Sequence, residues 1–195
     1  GEECLLGVSM TGIIDHPVLS GKLKTGTWFN HPNQANLSEV LEKLKAIAVE
    51  TNKKWAEDLG VNQSTAITCV KPSGTVSQLV DSASGLHARF SPYYIRRVRS
   101  DGKDPISDFL IDAGVPWEKD VMNNENYVFS FPMKAPAGAT TVEELDVQQQ
   151  LDLWDVYQEK WCEHKPSVTI YYSDAEFLAA GQWVWDKLDS CSGIS

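Results

Sequence analysis

Between Val70 and His87 the chain reads VKPSGTVSQLVDSASGLH, with five hydroxyl residues and two glycines in eighteen positions. The run follows STAITC, a short β-branched stretch that predicts a strand. A helix is predicted to start inside it, from about Thr75 to Asp81. A helix start exposes unpaired N–H groups and carries about +0.5 elementary charge, so it attracts anions. Gly74 lets the backbone approach a ligand closely. Ser73, Thr75 and Ser77 supply hydroxyl donors, and Lys71, set off by Pro72, supplies charge. Phosphate is the guest this set suits, with Lys71, Pro72, Ser73, Gly74, Thr75, Val76 and Ser77 as the candidate site. The order is not that of a Walker loop, because no Gly-Lys-Ser or Gly-Lys-Thr occurs. Serine and threonine also cap helices that bind nothing, so composition leaves both readings open.

Other reactive residues are weaker candidates. Cys162 and His164 lie in CEHKPS, but a metal site needs two more ligands at suitable spacing, so the pair reads as a helix end. Cys69, on the strand entering the loop, reads as a small buried hydrophobe. Arg96, Arg97 and Arg99, with Arg89 nearby and Tyr93 and Tyr94 beside them, have the ingredients for stacking on nucleic acid. On a strand, however, Arg97 and Arg99 share one face and Arg96 the other, which favours solvated charges or pairs with carboxylates. His87 and Arg89 are placed to shape the wall of a phosphate pocket. His16 and His31 sit in Pro-flanked loops and need no role. No catalytic residue and no metal ligand is assigned.

The elements that must position these residues follow from periodicity. CLLGVSMTGIID predicts a buried strand near Leu5–Ser9. Apolar positions at Leu37, Val40, Leu41, Leu44, Ile47, Ala48, Trp55 and Leu59 predict a helix over 36–59, with Asn36 and Glu39 as a capping box and Gly60 as the stop. YYIRRVR predicts a strand. Asp104, Pro105 and Gly114 bracket a helix, and YVFSFPM predicts another strand. A long helix is expected from Thr141, three before Glu144. SVTIYY predicts a strand over 167–172, and Ser173 with Glu176 opens a last helix to about Leu188. Strand and helix alternate at least four times after residue 60, which argues for an α/β fold with mainly parallel strands. No linker or repeat divides the chain, so a single domain over 1–195 is expected.

Composition sets the outer bounds. The 195 residues are 42% hydrophobic and 23% charged, ordinary values for a folded domain, and seven tryptophans call for a substantial core. A net charge of −10 argues against coating nucleic acid. No apolar run is long enough to span a membrane, and no secretory leader is visible. Cys4, Cys69, Cys162 and Cys191 are scattered, which fits a reducing cytoplasm rather than a disulfide scaffold.

The motifs add a resemblance. KPSGTVSQLVDSASGLHARFSPYYIRRVR is similar to the phosphate-binding loop and following segment of the catalytic chain of ribonucleotide reductases, above all the adenosylcobalamin-dependent, class II type. LLGVSMTGIID resembles the barrel strand before that loop, and EHKPSVTIYY with WVWDKLDSCSGIS resembles a late barrel strand, its helix and exit. The resemblance implies a half ribonucleotide-reductase-type α/β barrel, the C-terminal portion of a catalytic chain. It implies that Ser73 to Ser77 hold the phosphates of a ribonucleoside di- or triphosphate while Lys71 and Pro72 shape the approach. In that family a thiyl radical on a finger-loop cysteine removes the 3′ hydrogen of the ribonucleotide, the 2′ hydroxyl leaves as water, and a cysteine pair supplies electrons. No Asn-Pro-Cys-Gly-Glu-like run occurs here, which implies a piece of the enzyme, from a split or truncated gene, inactive alone. Adenosylcobalamin is the cofactor expected of the whole enzyme. The expected partners are the missing N-terminal half or, through exposed sheet edges, a second copy. The rival readings are a stand-alone phosphate-binding module without catalysis and, more remotely, a glycyl-radical relative.

Overall fold

The computed structural model describes residues 2–22, 32–191 and 193–194, without the side chains of residues 32–36, Thr75 and Gln78. The expectations for His31, for the side chain of Asn36 and for the hydroxyl of Thr75 lie outside the described residues. Two compact units are present, one of Gly1–Arg89 with Ala137–Ser195 and one of Phe90–Pro136. Neither junction is marked by a linker composition.

In the first unit, β1 (Val8–Ser9) pairs in parallel with β2 (Thr68–Cys69), Val8 opposite Thr68 and Ser9 opposite Cys69. The strand expected over Leu5–Ser9 is thus confined to its last two residues. Between these strands runs α1 (Pro32–Leu59). It begins before Asn36, so Asn36 and Glu39 lie inside the helix rather than at its cap. Its end is as expected. Gly60 adopts φ +65°, Gly60 N–H donates to Glu57 O and Val61 N–H to Ala56 O, the paired bonds of a Schellman stop.

The segment expected as a strand over 167–172 runs extended beside β2 without becoming a regular strand. Glu163 N–H donates to Thr68 O and Ser167 N–H to Val70 O, at 2.8 and 2.9 Å. Further along, the amide of Gln150 substitutes for a neighbouring strand: its Nε2 donates to Tyr171 O and its Oε1 accepts from Tyr171 N–H. Side chain has replaced main chain as the pairing partner, which periodicity does not register.

The helix expected from Thr141 divides. A 3-10 turn covers Val142–Glu144, and α4 starts only at Val147–Lys160. Asp146 accepts from Gln149 N–H while Gln149 Oε1 accepts from Asp146 N–H, a complete capping box, and this fixes the start. α4 supplies most of the core. Leu153, Trp154 and Tyr157 pack with Ile13, Ile14, Leu37, Leu41 and Val70. The aromatic polar atoms of α4 and of Trp161 just after it are used: Trp154 Nε1 donates to Pro166 O, Trp161 Nε1 to Cys69 O and Tyr157 OH to Leu19 O. α5 (Phe177–Asp186) follows, with Ser173 N–H and Oγ both donating to Glu176 Oε2 just before it.

The second unit is a three-stranded antiparallel sheet in the order β3-β5-β4: β3 (Tyr93–Asp101), β4 (Trp117–Lys119) and β5 (Asn126–Lys134). α3 (Pro105–Asp112) connects β3 to β4, capped by Asp104 Oδ1 on Ile106 N–H. The α/β class therefore holds, but the longest described strands are antiparallel. The reason is the turn 120–126, where Asp120 Oδ1 accepts from Met122 N–H and Asn123 Oδ1 from Glu125 N–H, folding β4 back onto β5. The described strands do not close into a barrel. Among the described residues no helix is long and apolar enough to cross a membrane.

Candidate functional site

The candidate loop leaves the carboxyl end of β2, next to the carboxyl end of β1. In open α/β sheets that edge is where ligands bind. Lys71 N–H donates to Ser9 Oγ at 3.0 Å, which holds the exit of β2 against β1. Pro72 and Ser73 lead into α2 (Gly74–Leu79). Gly74 has φ +47°, and a Cβ built on it would meet no atom within 4 Å, so the loop faces open space there. Lys71 and Val76 are exposed.

The backbone donors of this turn are largely occupied. Ser73 N–H and Gly74 N–H both point at Ser84 Oγ, at 2.9 and 3.3 Å, and Val76 N–H donates to Ser73 O. Ser73 Oγ lies 3.1 Å from Thr11 Oγ1. Ser77 is fully buried and its hydroxyl donates to Gly74 O, so it braces the turn from inside. A neutral hydroxyl oxygen thus occupies the amides of Ser73 and Gly74.

Ser84 is held there by its neighbours. Ala83 N–H donates to Asp15 Oδ2 at 2.7 Å, and Ala83 O accepts from Gly12 N–H and Thr11 Oγ1. Arg89, 4% exposed, grips the same segment. Its Nε and one terminal nitrogen reach the two oxygens of Asp15 at 3.1 and 3.0 Å, while its terminal nitrogens also reach Asp81 Oδ1 and Asp81 O. Asp81 takes φ +48°, a left-handed conformation aspartate adopts more readily than most residues. Thr11, Asp15 and Ser84 are the residues that sequence reading missed. Thr11 and Asp15 lie just past β1, at the edge where the loop also emerges, but nothing in their spacing ties them to Ser84.

His87 stands on this segment, its N–H bonded to Ser84 O and its Nε2 3.4 Å from Ser167 Oγ. Burial lowers its pKa, so the ring is held neutral. Glu163 caps the start of β2. Burial pushes its carboxyl up, but hydrogen bonds from Thr68 N–H, Ile67 N–H and the Thr68 hydroxyl outweigh that and leave it below the usual range. Cys69 and Cys162 are buried, and burial, with Cys69 nearby, pushes Cys162 up to about 12. That thiol is inert rather than nucleophilic. No group of three metal-capable side chains occurs among the described residues. The arginines of β3 belong to the second unit, where Arg97 pairs with Glu118 and Arg99 with Asp120.

A separate cavity of about 660 Å³ lies between the N-terminal segment and α1, walled by Leu5, Leu6, Leu44, Ile47, Trp55 and Leu59 among others. Its lining is overwhelmingly apolar.

No family model matches the chain. Curated proteins do. Adenosylcobalamin-dependent ribonucleoside-triphosphate reductases of Lactobacillus gasseri and Levilactobacillus brevis are each 30% identical, over 88% and 94% of this chain and 25% and 26% of their own length. A probable reductase of the same description from Dictyostelium discoideum is 29% identical over 86% of this chain and 20% of its own. A crystal structure of a B-12 dependent (class II) ribonucleotide reductase superposes with a TM-score of 0.76, covering 98% of this chain and 29% of that one at 23% identity, a likeness of fold. The chain spans about a quarter of the length of the curated relatives it matches. The chain is thus similar in sequence to part of the adenosylcobalamin-dependent ribonucleoside-triphosphate reductases, and in fold to part of a class II ribonucleotide reductase.

Proposed function

We propose that this chain is a portion of a class II ribonucleotide reductase catalytic chain, C-terminal in its barrel, and that Lys71–Ser77 holds the phosphates of a ribonucleoside di- or triphosphate. The observation that carries the reading is the open turn at Gly74, at the carboxyl edge of β1 and β2, in a chain whose relatives are named as ribonucleoside-triphosphate reductases. Ser84 Oγ keeps the amides of Ser73 and Gly74 and so holds the turn in shape, while the phosphate oxygens accept from the Ser73 and Thr75 hydroxyls at its open side, where a charged acceptor strengthens each bond. Lys71 adds charge from the rim, and Ser73 turns its hydroxyl from Thr11 to the ligand.

The whole enzyme then reduces ribonucleotides to deoxyribonucleotides, and it is the rest of such an enzyme that supplies the radical cysteine and the reducing thiols. Adenosylcobalamin supplies the radical when bound to that enzyme. The residues described here do not fit that cofactor. The cavity beside α1 is lined mainly by apolar side chains, and its polar residues, Thr51, Asn52 and Asn62, are too few for the amide-bearing rim of a corrin. This chain's share of the work is binding and orientation. Its partners in this reading are the nucleotide and the remainder of the catalytic chain, in a reducing cytoplasm that suits the buried thiols of Cys69 and Cys162.

Calorimetry with nucleoside diphosphate and triphosphate tests the loop. Thr75→Val should weaken binding by roughly 1–3 kcal/mol if its hydroxyl donates to a charged oxygen. Wild-type protein that takes up neither nucleotide at millimolar concentration would end the reading.

A further inference from the structure

We propose that Arg89 is a positioning residue for the phosphate-holding loop, acting through Asp15, Asp81 and Ser84; the inference rests on the reading just given. The loop 71–77 has little to hold it in place by itself. α2 has only six residues, Lys71 and Val76 face solvent, and Gly74 has open space on its outer side. Its shape is set by contact with a second segment, 81–84, through one hydroxyl that accepts from two successive amides.

That second segment has no regular structure of its own. It is fixed by the buried guanidinium of Arg89, which reaches one end at the exposed Asp81 and the other through the largely buried Asp15. Arg89 takes Asp81 by side chain and carbonyl, and takes Asp15 by both carboxylate oxygens, while one oxygen of Asp15 also receives Ala83 N–H. Asp15 is only 14% exposed and Arg89 4%, so the bonds between these two are little screened by solvent. Arg89 is itself anchored by main chain, its N–H to Thr140 O and its O from Val142 N–H. The path therefore runs from a rigid bridge at Arg89, through the guanidinium, to Ala83 and Ser84, and so to the amides of Ser73 and Gly74. A loop shaped before the ligand arrives loses less entropy on binding. The planar fork of arginine is what grips two carboxylates and a carbonyl together, and lysine does not reproduce it.

Two variants and two readouts decide the matter. Asp81→Asn removes one charge at an exposed position whose left-handed backbone asparagine tolerates, and so keeps the fold. Arg89→Lys keeps the charge and loses the fork. Amide hydrogen exchange is measured at Ser73 and Gly74 and, as internal standard, at Thr68 and Cys69. Exchange at Ser73 and Gly74 should rise about tenfold in Arg89→Lys and severalfold in Asp81→Asn, with the β2 amides little changed, because local opening is uncoupled from global unfolding. Triphosphate affinity, by calorimetry, should fall in the same order. Exchange at Ser73 and Gly74 that stays at the wild-type rate in both variants, or that rises equally with the β2 amides, overturns the proposal. If wild-type protein binds no triphosphate, the phosphate reading falls and this role of Arg89 with it, whatever exchange shows. If wild type binds and both variants bind equally well, the positioning role falls and the phosphate reading stands.

Discussion

Arginine serves the two units of this molecule in opposite ways. In the first, Arg89 is 4% exposed and meets two aspartates and a carbonyl. In the second, Arg97 and Arg99 are 55% and 67% exposed and each meets one carboxylate, Glu118 and Asp120. The residue type and the partner type are the same. The difference is solvent. Water competes for Arg97 and Glu118, both more than half exposed, so that pair contributes little, whereas the exposed Arg99 answers an Asp120 carboxylate that is itself buried. Arg89 and Asp15 have given up water for each other, so removing Arg89 leaves the Asp15 carboxylate without its counter-charge. A sheet in the second unit is built by backbone pairing with charges added outside; the loop in the first is built around the charges.

The largest break in that contrast should come from Arg89→Met. It strands Asp15 in a buried site and should cost about 3–5 kcal/mol in urea unfolding. A loss under about 1 kcal/mol, the range of exposed pairs, would show the two clusters to be equivalent. Asp146→Ala comes next. It deletes a capping box on which α4 and its core face depend, and should cost about 1 kcal/mol. Arg97→Ala should change stability by less than about 1 kcal/mol, and raising salt should erase what difference remains.

Acid sharpens the contrast from another side. The folded pKa of His87 is lowered, so the unfolded chain binds the proton more readily. Stability is then full above the unfolded value, about 6.5, and falls as pH drops through it toward the folded value. A pH series on wild type and His87→Gln should show that loss in the first protein alone. The smallest effect concerns the thiols. Cys191, partly accessible, should label with a thiol reagent at pH 8, while Cys69 and Cys162 label only on unfolding.

Much of the fold was legible because the signals were local. Gly60 and Gly114 stop α1 and α3, Asp104 starts α3, and the alternation of YYIRRVR and YVFSFPM gives β3 and β5. What failed had local decoys. Thr141 with Glu144 looks like a capping box, but Asp146 with Gln149, five residues on, is the one the chain uses. SVTIYY has strand composition, yet its partner at Tyr171 is a glutamine side chain, which no periodicity records. β4 is too short to be seen, and without it the sheet reads as parallel.

The loop shows the same division. Its sequence announced small, polar residues at a helix start after a strand, and the resemblance it carries named a family that the comparisons support. The sequence alone determined where the chain bends and which groups it brings to the bend, because turns and caps are chosen by residues within a few positions of one another. Only the tertiary structure decided what those groups touch. Ser84 on the amides, Thr11 on Ser73, and Asp15 beneath Arg89 are contacts between segments ten to more than seventy residues apart. They form because the core packs β1, β2 and the 81–89 segment side by side, and that packing is a property of the whole chain rather than of any stretch of it.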